Sequence, residues 1–488
     1  MEKSVVIIGS GLGGLECGYI LARKGLQVTI LEQAAKPGGC LQSFRRGGRV
    51  FDTGLHYVGG LGEGQSLRPF FEYFGLMDLP WRQIDPDCVD EVVIGDQSFP
   101  LASGHDRFVE RLAERFPAER NNLREYARFL RKVGDDIFKI FEGDSVEMNG
   151  LLGRGAYEYL RSTIADPLLR QVLSGAFMRM ELRESLPLYV FAQINDSFIQ
   201  SAWKLEGGGD QIVSRMVDSI TSMGGNVRTN AKVTSIRAVY GKVSEVEVNG
   251  SEALKADWVI SDAHPAVTVG LVSDGLRKVY KERISALDNT FGVFTANICL
   301  KPGIPACTDG NIFIHREGID LWHQDPSVTE SVMVHFYPGP HGGVTHLDLM
   351  SQMPFVNDDE VYSHRIADSE ENIPLKSEES YRSTKLRKLK ECLDLVGNRL
   401  PWLEGSIESV TTSTPLTYSR FTSTPQGSAF GIRHNWETPL RTVLSPRTPL
   451  KNLLFTGQSL NLHGLLGVSM TSVLTCREIL GKDFTILY

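Results

Sequence analysis

His56 and Tyr57 are the side chains of this 488-residue sequence best suited to handing over a proton. An imidazole ordinarily titrates near neutrality, so His56 can protonate a carbanion left by hydride addition. Its rival role is a backbone-bonded histidine that shapes a turn. Cys40 offers a redox thiol, but a small buried side chain beside phosphates accounts for it better. His463 stands next to a late glycine turn, where it either touches a cofactor or simply builds the loop. Pro338-Gly339-Pro340-His341-Gly342-Gly343 with His346 has no carboxylate or cysteine at ligand spacing, so no metal is expected. Nor is there a Ser/His/Asp or Cys/His signature. A borrowed cofactor would have to carry the difficult step.

The elements that position such a cofactor open the chain. Lys3 to Ile8 reads as a buried parallel strand, followed by Gly9-Ser10-Gly11-Leu12-Gly13-Gly14 and a helix from Leu15 to Lys24. Gln27 to Leu31 is a second strand ending on Glu32. Gly9 permits the tight turn, Gly11 lets backbone approach a pyrophosphate, and Gly14 lets helix and strand pack closely. The helix N-terminus presents unpaired N–H groups to phosphates, and Glu32 can accept from ribose hydroxyls. Gly13 completes this dinucleotide fingerprint.

Further glycines suit a longer nucleotide, FAD. Pro37-Gly38-Gly39-Cys40 and Phe51-Asp52-Thr53-Gly54-Leu55-His56-Tyr57 follow soon after the ribose acid. Gly207-Gly208-Gly209 precedes an amphipathic helix with Ile212, Met216 and Ile220 on one side. A strand around 231–236, a hairpin near Gly241 and a strand at 256–263 come next. Near the C-terminus, Asn452 to Gln458 forms a strand and glycine turn, and Gly464 and Gly467 open a helix from Val468 to Leu480. The expected class is α/β: a discontinuous Rossmann-like FAD-binding domain (1–75, 205–270 and 432–488) with an inserted α+β substrate domain (76–204 and 271–431). Residues 105–200 carry helical periodicity, and 290–350 read as strands. A helix is expected to turn Leu386, Leu389, Leu393 and Val396 inward, with Lys385, Arg387, Lys388 and Lys390 as a solvated face. The acidic stretch 357–372 reads as a solvated loop.

The N-terminal fingerprint with Pro37-Gly38-Gly39, the Gly207–Gly209 block and Gly457…Gly464…Gly467 resemble flavoproteins of the phytoene desaturase and amine oxidase superfamily. Gly38-Gly39-Cys40 followed by Phe51 to Tyr57 is most similar to the retinol saturase (all-trans-retinol 13,14-reductase) branch, with carotenoid isomerases as cousins. Ser413-Thr414-Pro415-Leu416 and Thr424 to Gly431 are similar to the late substrate-domain motif of that group. The resemblance implies that Gly9, Gly11 and Gly14 cradle the pyrophosphate and Glu32 the adenosine ribose. It implies Gly39 near the phosphates, Val233 on the adenine through its backbone, and Gly457, Gly464 and Gly467 along the ribityl chain and isoalloxazine. Gly13, Gly38, Gly54 and Val468 join the same cofactor-binding set. Two departures stand out: Lys204-Leu205-Glu206 leads into the middle glycines, and Cys17-Gly18 replaces an alanine of the first helix. The former bears on substrate identity.

Composition narrows the partners. A net charge of −8 argues against nucleic acid. No apolar stretch is long enough for a transmembrane helix, and nothing resembles a signal peptide. Scattered cysteines without a CxxC pair fit a reducing cytoplasm. The expected activity is FAD-dependent reduction or desaturation of a carbon–carbon double bond in a hydrophobic polyene, a substrate that invites peripheral membrane contact. Its channel is expected to be apolar, without a dedicated acid–base set. Flavin-dependent cis–trans isomerisation, a non-catalytic flavin holder and an amine oxidase are the rivals. A separate NAD(P)H domain is not evident, which leaves the electron donor open.

Overall fold

The computed structural model describes residues 3–139, 150–305, 308–339, 342–355 and 375–486. Its first half is organised by a five-stranded parallel sheet in the order Asn226–Arg228, Gln27–Leu31, Ser4–Ile8, Trp258–Ser261, Leu453–Phe455. Val5, Val6, Ile7 and Ile8 are buried on both faces, as a central parallel strand requires. Helix Leu12–Arg23 crosses over to Gln27–Leu31, while helices Asp210–Ser222 and Gly464–Leu480 pack against it. Ile212, Met216 and Ile220 are fully buried there, as their spacing predicts. A smaller antiparallel sheet, Val233–Val239, Lys242–Val248 and Glu252–Leu254, covers the other face through Val6, Ile8 and Val259.

The second half is built on a seven-stranded sheet. It runs Ile407–Ser413, Gly292–Leu300, Val344–Met353, Ser331–Pro338, Asn311–His315, Asp90–Ile94, Gln97–Leu101. Only Asn311–His315 and Asp90–Ile94 pair in parallel. Helices between His105 and Gln200 bury Phe108, Leu112, Leu130, Leu169 and Phe191 against one face. A three-stranded patch, Val58–Gly59, Ala202–Leu205 and Trp81–Gln83, ties the halves together just beyond His56 and Tyr57. This is the α/β class expected from the sequence, with its parallel sheet assembled from distant stretches of chain.

Several local expectations need correction. The first helix starts at Leu12, directly on the glycine turn. The strand expected over 256–263 is only Trp258–Ser261, which leaves Asp262 beyond its end. In helix Leu375–Val396, Leu386 is 56% exposed whereas Lys388, Cys392 and Val396 are buried. Residues four apart share a helix face, and the face that meets the sheet is the 388–392–396 stripe, so Leu386 points away. Lys388 is therefore not part of a solvated basic surface. The stretch 357–372 lies outside the described residues.

Candidate functional site

Backbone packing alone brings the glycine segments into one groove. Gly9 adopts φ +95° at the strand-to-helix turn, a conformation other residues rarely hold. A Cβ at Gly14 would overlap Gly9 O, and a Cβ at Gly13 would lie 3.0 Å from Gly457 Cα and N. Residues separated by more than four hundred positions thus touch through their main chains. Gly38 donates its N–H to Ser10 O at 3.0 Å, and a Cβ on Gly39 would meet Gly11 Cα at 3.4 Å. Gly54 packs on Cys40 O in the same way, at 3.1 Å. Gly464 (φ +75°) opens the C-terminal helix, while Gly467 is pressed on the Leu462 backbone with Val468 buried beside it. Such a side-chain-free cradle, facing a helix N-terminus, fits an extended dinucleotide.

Carboxylates mark both ends of the fingerprint. Glu32 is buried and takes Ser10 Oγ at 2.5 Å, Ser10 N at 3.1 Å and Ala34 N at 2.8 Å. Ala231 N donates to Glu32 O at 2.8 Å, which brings the backbone leading to Val233 beside the acid. Asp262, which sequence reasoning missed, sits under the helix N-terminus. Burial pushes it up to about 7 against the Gly14 and Gly11 N–H bonds. Glu16, also missed, is enclosed between the first and last helices. Ser469 Oγ donates to its Oε1 at 2.6 Å, while Oε2 has no partner. Burial raises it to about 8.

Beyond the cradle the protein is polar, not purely apolar. His56 Nε2 stands 3.5 Å from Asp348 Oδ2, close enough for an ion pair yet not aligned for a hydrogen bond. Asn297 Nδ2 donates to Asp348 Oδ1 at 2.6 Å, and Tyr337 OH donates to Asp348 Oδ2 at 2.8 Å. Tyr337 OH in turn accepts Asp52 N–H at 3.0 Å. His335, its ring centroid 5.1 Å from that of His56, donates through Nδ1 to Asn311 Oδ1 at 2.7 Å. Burial, then the Lys204 charge, holds His335 well below the usual imidazole range. Lys204, the departure noted in sequence, is itself buried. Its Nζ donates to Phe336 O at 3.2 Å, and burial lowers it to about 8.

Tyr57 points into a different network. Arg179 Nε donates to its hydroxyl at 2.8 Å, and Arg179 also pairs with Asp90. The guanidinium lies 3.9 Å over the Phe198 ring; Arg179 and Asp90 are buried, Tyr57 and Phe198 partly so. Asn311, which accepts from His335 and donates to Asp90 Oδ1 at 3.2 Å, links this network to the one beside His56. Sheet pairing gathers Asp90, Asn311, His335, Tyr337 and Asp348 from positions no local motif connects, and Arg179 joins them from the short helical turn Phe177–Arg179. Asp262 had a readable signal, an acid at the C-terminal end of a parallel strand, like Glu32.

The remaining singled-out residues are accounted for. Cys40 is exposed, because the turn at Gly39–Leu41 runs along the groove instead of beneath it; the buried role is corrected. His463 caps the last helix, donates from Nε2 to Arg179 O at 2.9 Å and stacks on Phe430 at 4.2 Å. His346 donates from Nε2 to Val50 O at 2.6 Å. His341 lies outside the described residues. Among the described residues no group of His, Cys, Asp or Glu is arranged to hold a metal ion.

Comparison with known proteins bears on the family and the fold. Residues 12–296 match the family described as flavin containing amine oxidoreductase. The chain is 26% identical to an all-trans-retinol 13,14-reductase of Danio rerio, over 98% of this chain and 86% of the relative. It is 25% identical to prolycopene isomerase 2, chloroplastic, of an Oncidium hybrid cultivar, over 60% of this chain and 55% of the relative. Among solved structures, cyclohexylamine oxidase from Brevibacterium oxydans IH-35A shares the fold with a TM-score of 0.60. The identity is 15%, covering 98% of this chain and 100% of that one.

Proposed function

Because this chain belongs to the flavin containing amine oxidoreductases, we propose that it holds FAD and saturates a carbon–carbon double bond of a hydrophobic polyene. The observation that carries the reading is end-to-end similarity to a reductase of all-trans-retinol, across 98% of the chain. The glycine cradle supports FAD over a shorter nucleotide, since Gly9–Gly14, Gly38–Gly39, Gly54 and Gly457 line a single groove. A bound flavin supplies the hydride. In this reading Gly11 and Gly14 hold the diphosphate, Glu32 the ribose, the Val233 backbone the adenine, and Gly464–Val468 the flavin ring.

His56 hands over the proton. Asp348, fixed from behind by Asn297 and Tyr337, faces its Nε2 at 3.5 Å and stabilises the imidazolium that must donate. Phe430 and Phe291, whose rings meet at 5.7 Å, give the chain of the substrate an apolar wall. Tyr57 keeps Arg179 in place and excludes water. The compartment in this reading is the cytoplasm, with peripheral contact to lipid. No helix among the described residues is long and apolar enough to cross a membrane, and Phe421 (64% exposed) and Leu440 (94%) offer apolar contact points. Electrons arrive from a reduced nicotinamide in solution or from another carrier.

The test is anaerobic. Photoreduced protein is mixed with all-trans-retinol and with carotenoids, and both the flavin spectrum and product mass are followed. Reoxidation with a gain of two hydrogens is expected, and His56→Gln should slow it about 10²- to 10⁴-fold with flavin content unchanged. A product of unchanged mass transfers the chain to the isomerase reading, which the likeness to prolycopene isomerase favours. If no polyene reoxidises the flavin, the proposal fails.

A further inference from the structure

The place meant for a negatively charged diphosphate already holds a carboxyl group. Asp262 follows strand Trp258–Ser261, and its N–H bonds Ile8 O at 2.8 Å. Its side chain is half-buried, with the carboxyl set against the Gly11–Gly14 turn, whose N–H groups are the donors a phosphate would use. A Cβ at Gly13 or Gly457 would sit 2.5 Å from Asp262 Oδ1, and one at Gly11 would strike Oδ2. The glycines therefore admit this carboxyl as closely as they would admit a ligand. Gly14 and Gly9 also close on its Cβ, at 3.4 and 3.5 Å by the same measure. An ionised carboxylate this close to a diphosphate is a costly like-charge contact.

Resting on the FAD reading, we propose that cofactor binding is coupled to the uptake of one proton by Asp262, which must be neutral when the diphosphate is in place. The proton comes from solvent, and no electrons move. Burial has already raised this carboxyl to about 7. The ionisable groups acting on it are Glu32 from the second strand, Glu16 from the first helix and Cys40 from the turn after Gly39. Each is anionic or neutral, so none offsets the charge of an ionised Asp262. Gly457 on the far side adds no charge. A dianionic neighbour raises the carboxyl further, so affinity is full below about pH 7 and falls as pH rises beyond it, about tenfold per unit.

The experiment titrates flavin-free protein with FAD by fluorescence, across about two pH units either side of neutrality. Calorimetry in two buffers of different ionisation enthalpy counts the proton. The wild type is expected to show the tenfold-per-unit slope above neutrality and to take up one proton. Asp262→Asn should bind with a flat profile, more tightly than wild type at the alkaline end, and take up none. Glu16→Gln should keep the slope. A flat wild-type profile, no proton uptake, an unchanged slope in Asp262→Asn or a lost slope in Glu16→Gln each overturns the proposal while FAD binding stands. Failure to bind FAD at any pH overturns the cofactor reading instead. Should Asp262→Asn not fold, the wild-type calorimetry decides alone.

Discussion

On the proposed nucleotide side of the groove, packing is built from missing side chains: Gly13 lies against Gly457, Gly14 against Gly9, Gly39 against Gly11. On the proposed substrate side it is built from side chains that satisfy one another, as Asp90 does with Arg179 and Asn311, and Asp348 with Tyr337 and Asn297. The first design tolerates no added atom. The second tolerates no removed partner, because a buried charge left alone has lost both water and its counter-ion. Shape constrains one region and charge balance the other.

The largest effect should follow from unbalancing the substrate side. Arg179→Met leaves Asp90, which is fully buried, facing only Asn311 and the Tyr57 hydroxyl. The expected loss is about 3–5 kcal/mol in urea unfolding. Adding Asp90→Asn should recover most of it, since the cost lies in the uncompensated charge and not in the missing contact. A single-variant loss under about 1 kcal/mol would erase the contrast, placing this network with surface pairs.

The same contrast decides what could be read from sequence. Gly9, Gly11, Gly14 and Glu32 lie within one strand–helix–strand unit, so their spacing is the geometry. Ile212, Met216 and Ile220 were likewise legible through helical period. The substrate-side groups come from strands Asp90–Ile94, Asn311–His315, Ser331–Pro338 and Val344–Met353. What unites them is sheet order, above all the parallel pairing of Asn311–His315 with Asp90–Ile94, and no local period encodes that. His56 could be singled out from sequence as a candidate, but the Asp348 carboxylate 3.5 Å from it could not. Lys388 failed for a related reason: a basic run reads as solvated until the helix it rides on is known to be pressed against a sheet.

Glu16 sharpens the comparison from within the nucleotide side, because it breaks that region's rule. It is a buried acid among glycines and hydroxyls, lifted from 4.5 to about 8 by burial, which outweighs the Ser469 hydrogen bond. The folded chain therefore holds a proton that the unfolded chain releases in the ordinary carboxyl range. Stability from this group is full below about pH 4.5, declines as pH climbs to about 8 and is level beyond. Glu16→Gln should match wild type in acid and exceed it at alkaline pH, by about 2–4 kcal/mol. Thermal unfolding across that window measures it. Equal pH slopes in the two proteins would show that Glu16 is paired.

Tyr337 tests whether the two designs are independent. Its hydroxyl accepts the Asp52 N–H and donates to Asp348, while Asp52 Oδ1 accepts the Gly209 N–H at 2.7 Å. One oxygen thus joins the middle glycines to the His56–Asp348 pair. Tyr337→Phe keeps the ring stacked on His346, 4.2 Å between centroids, and removes only that oxygen. The expected cost is about 1–2 kcal/mol, that of one buried donor and one acceptor losing their partner. Asp348, relieved of a donor, should hold the His56 proton harder and move the alkaline limb of flavin reoxidation by polyene to higher pH. If stability falls as expected but that limb stays fixed, Asp348 is not what sets His56, and the two networks are structural neighbours without chemical coupling.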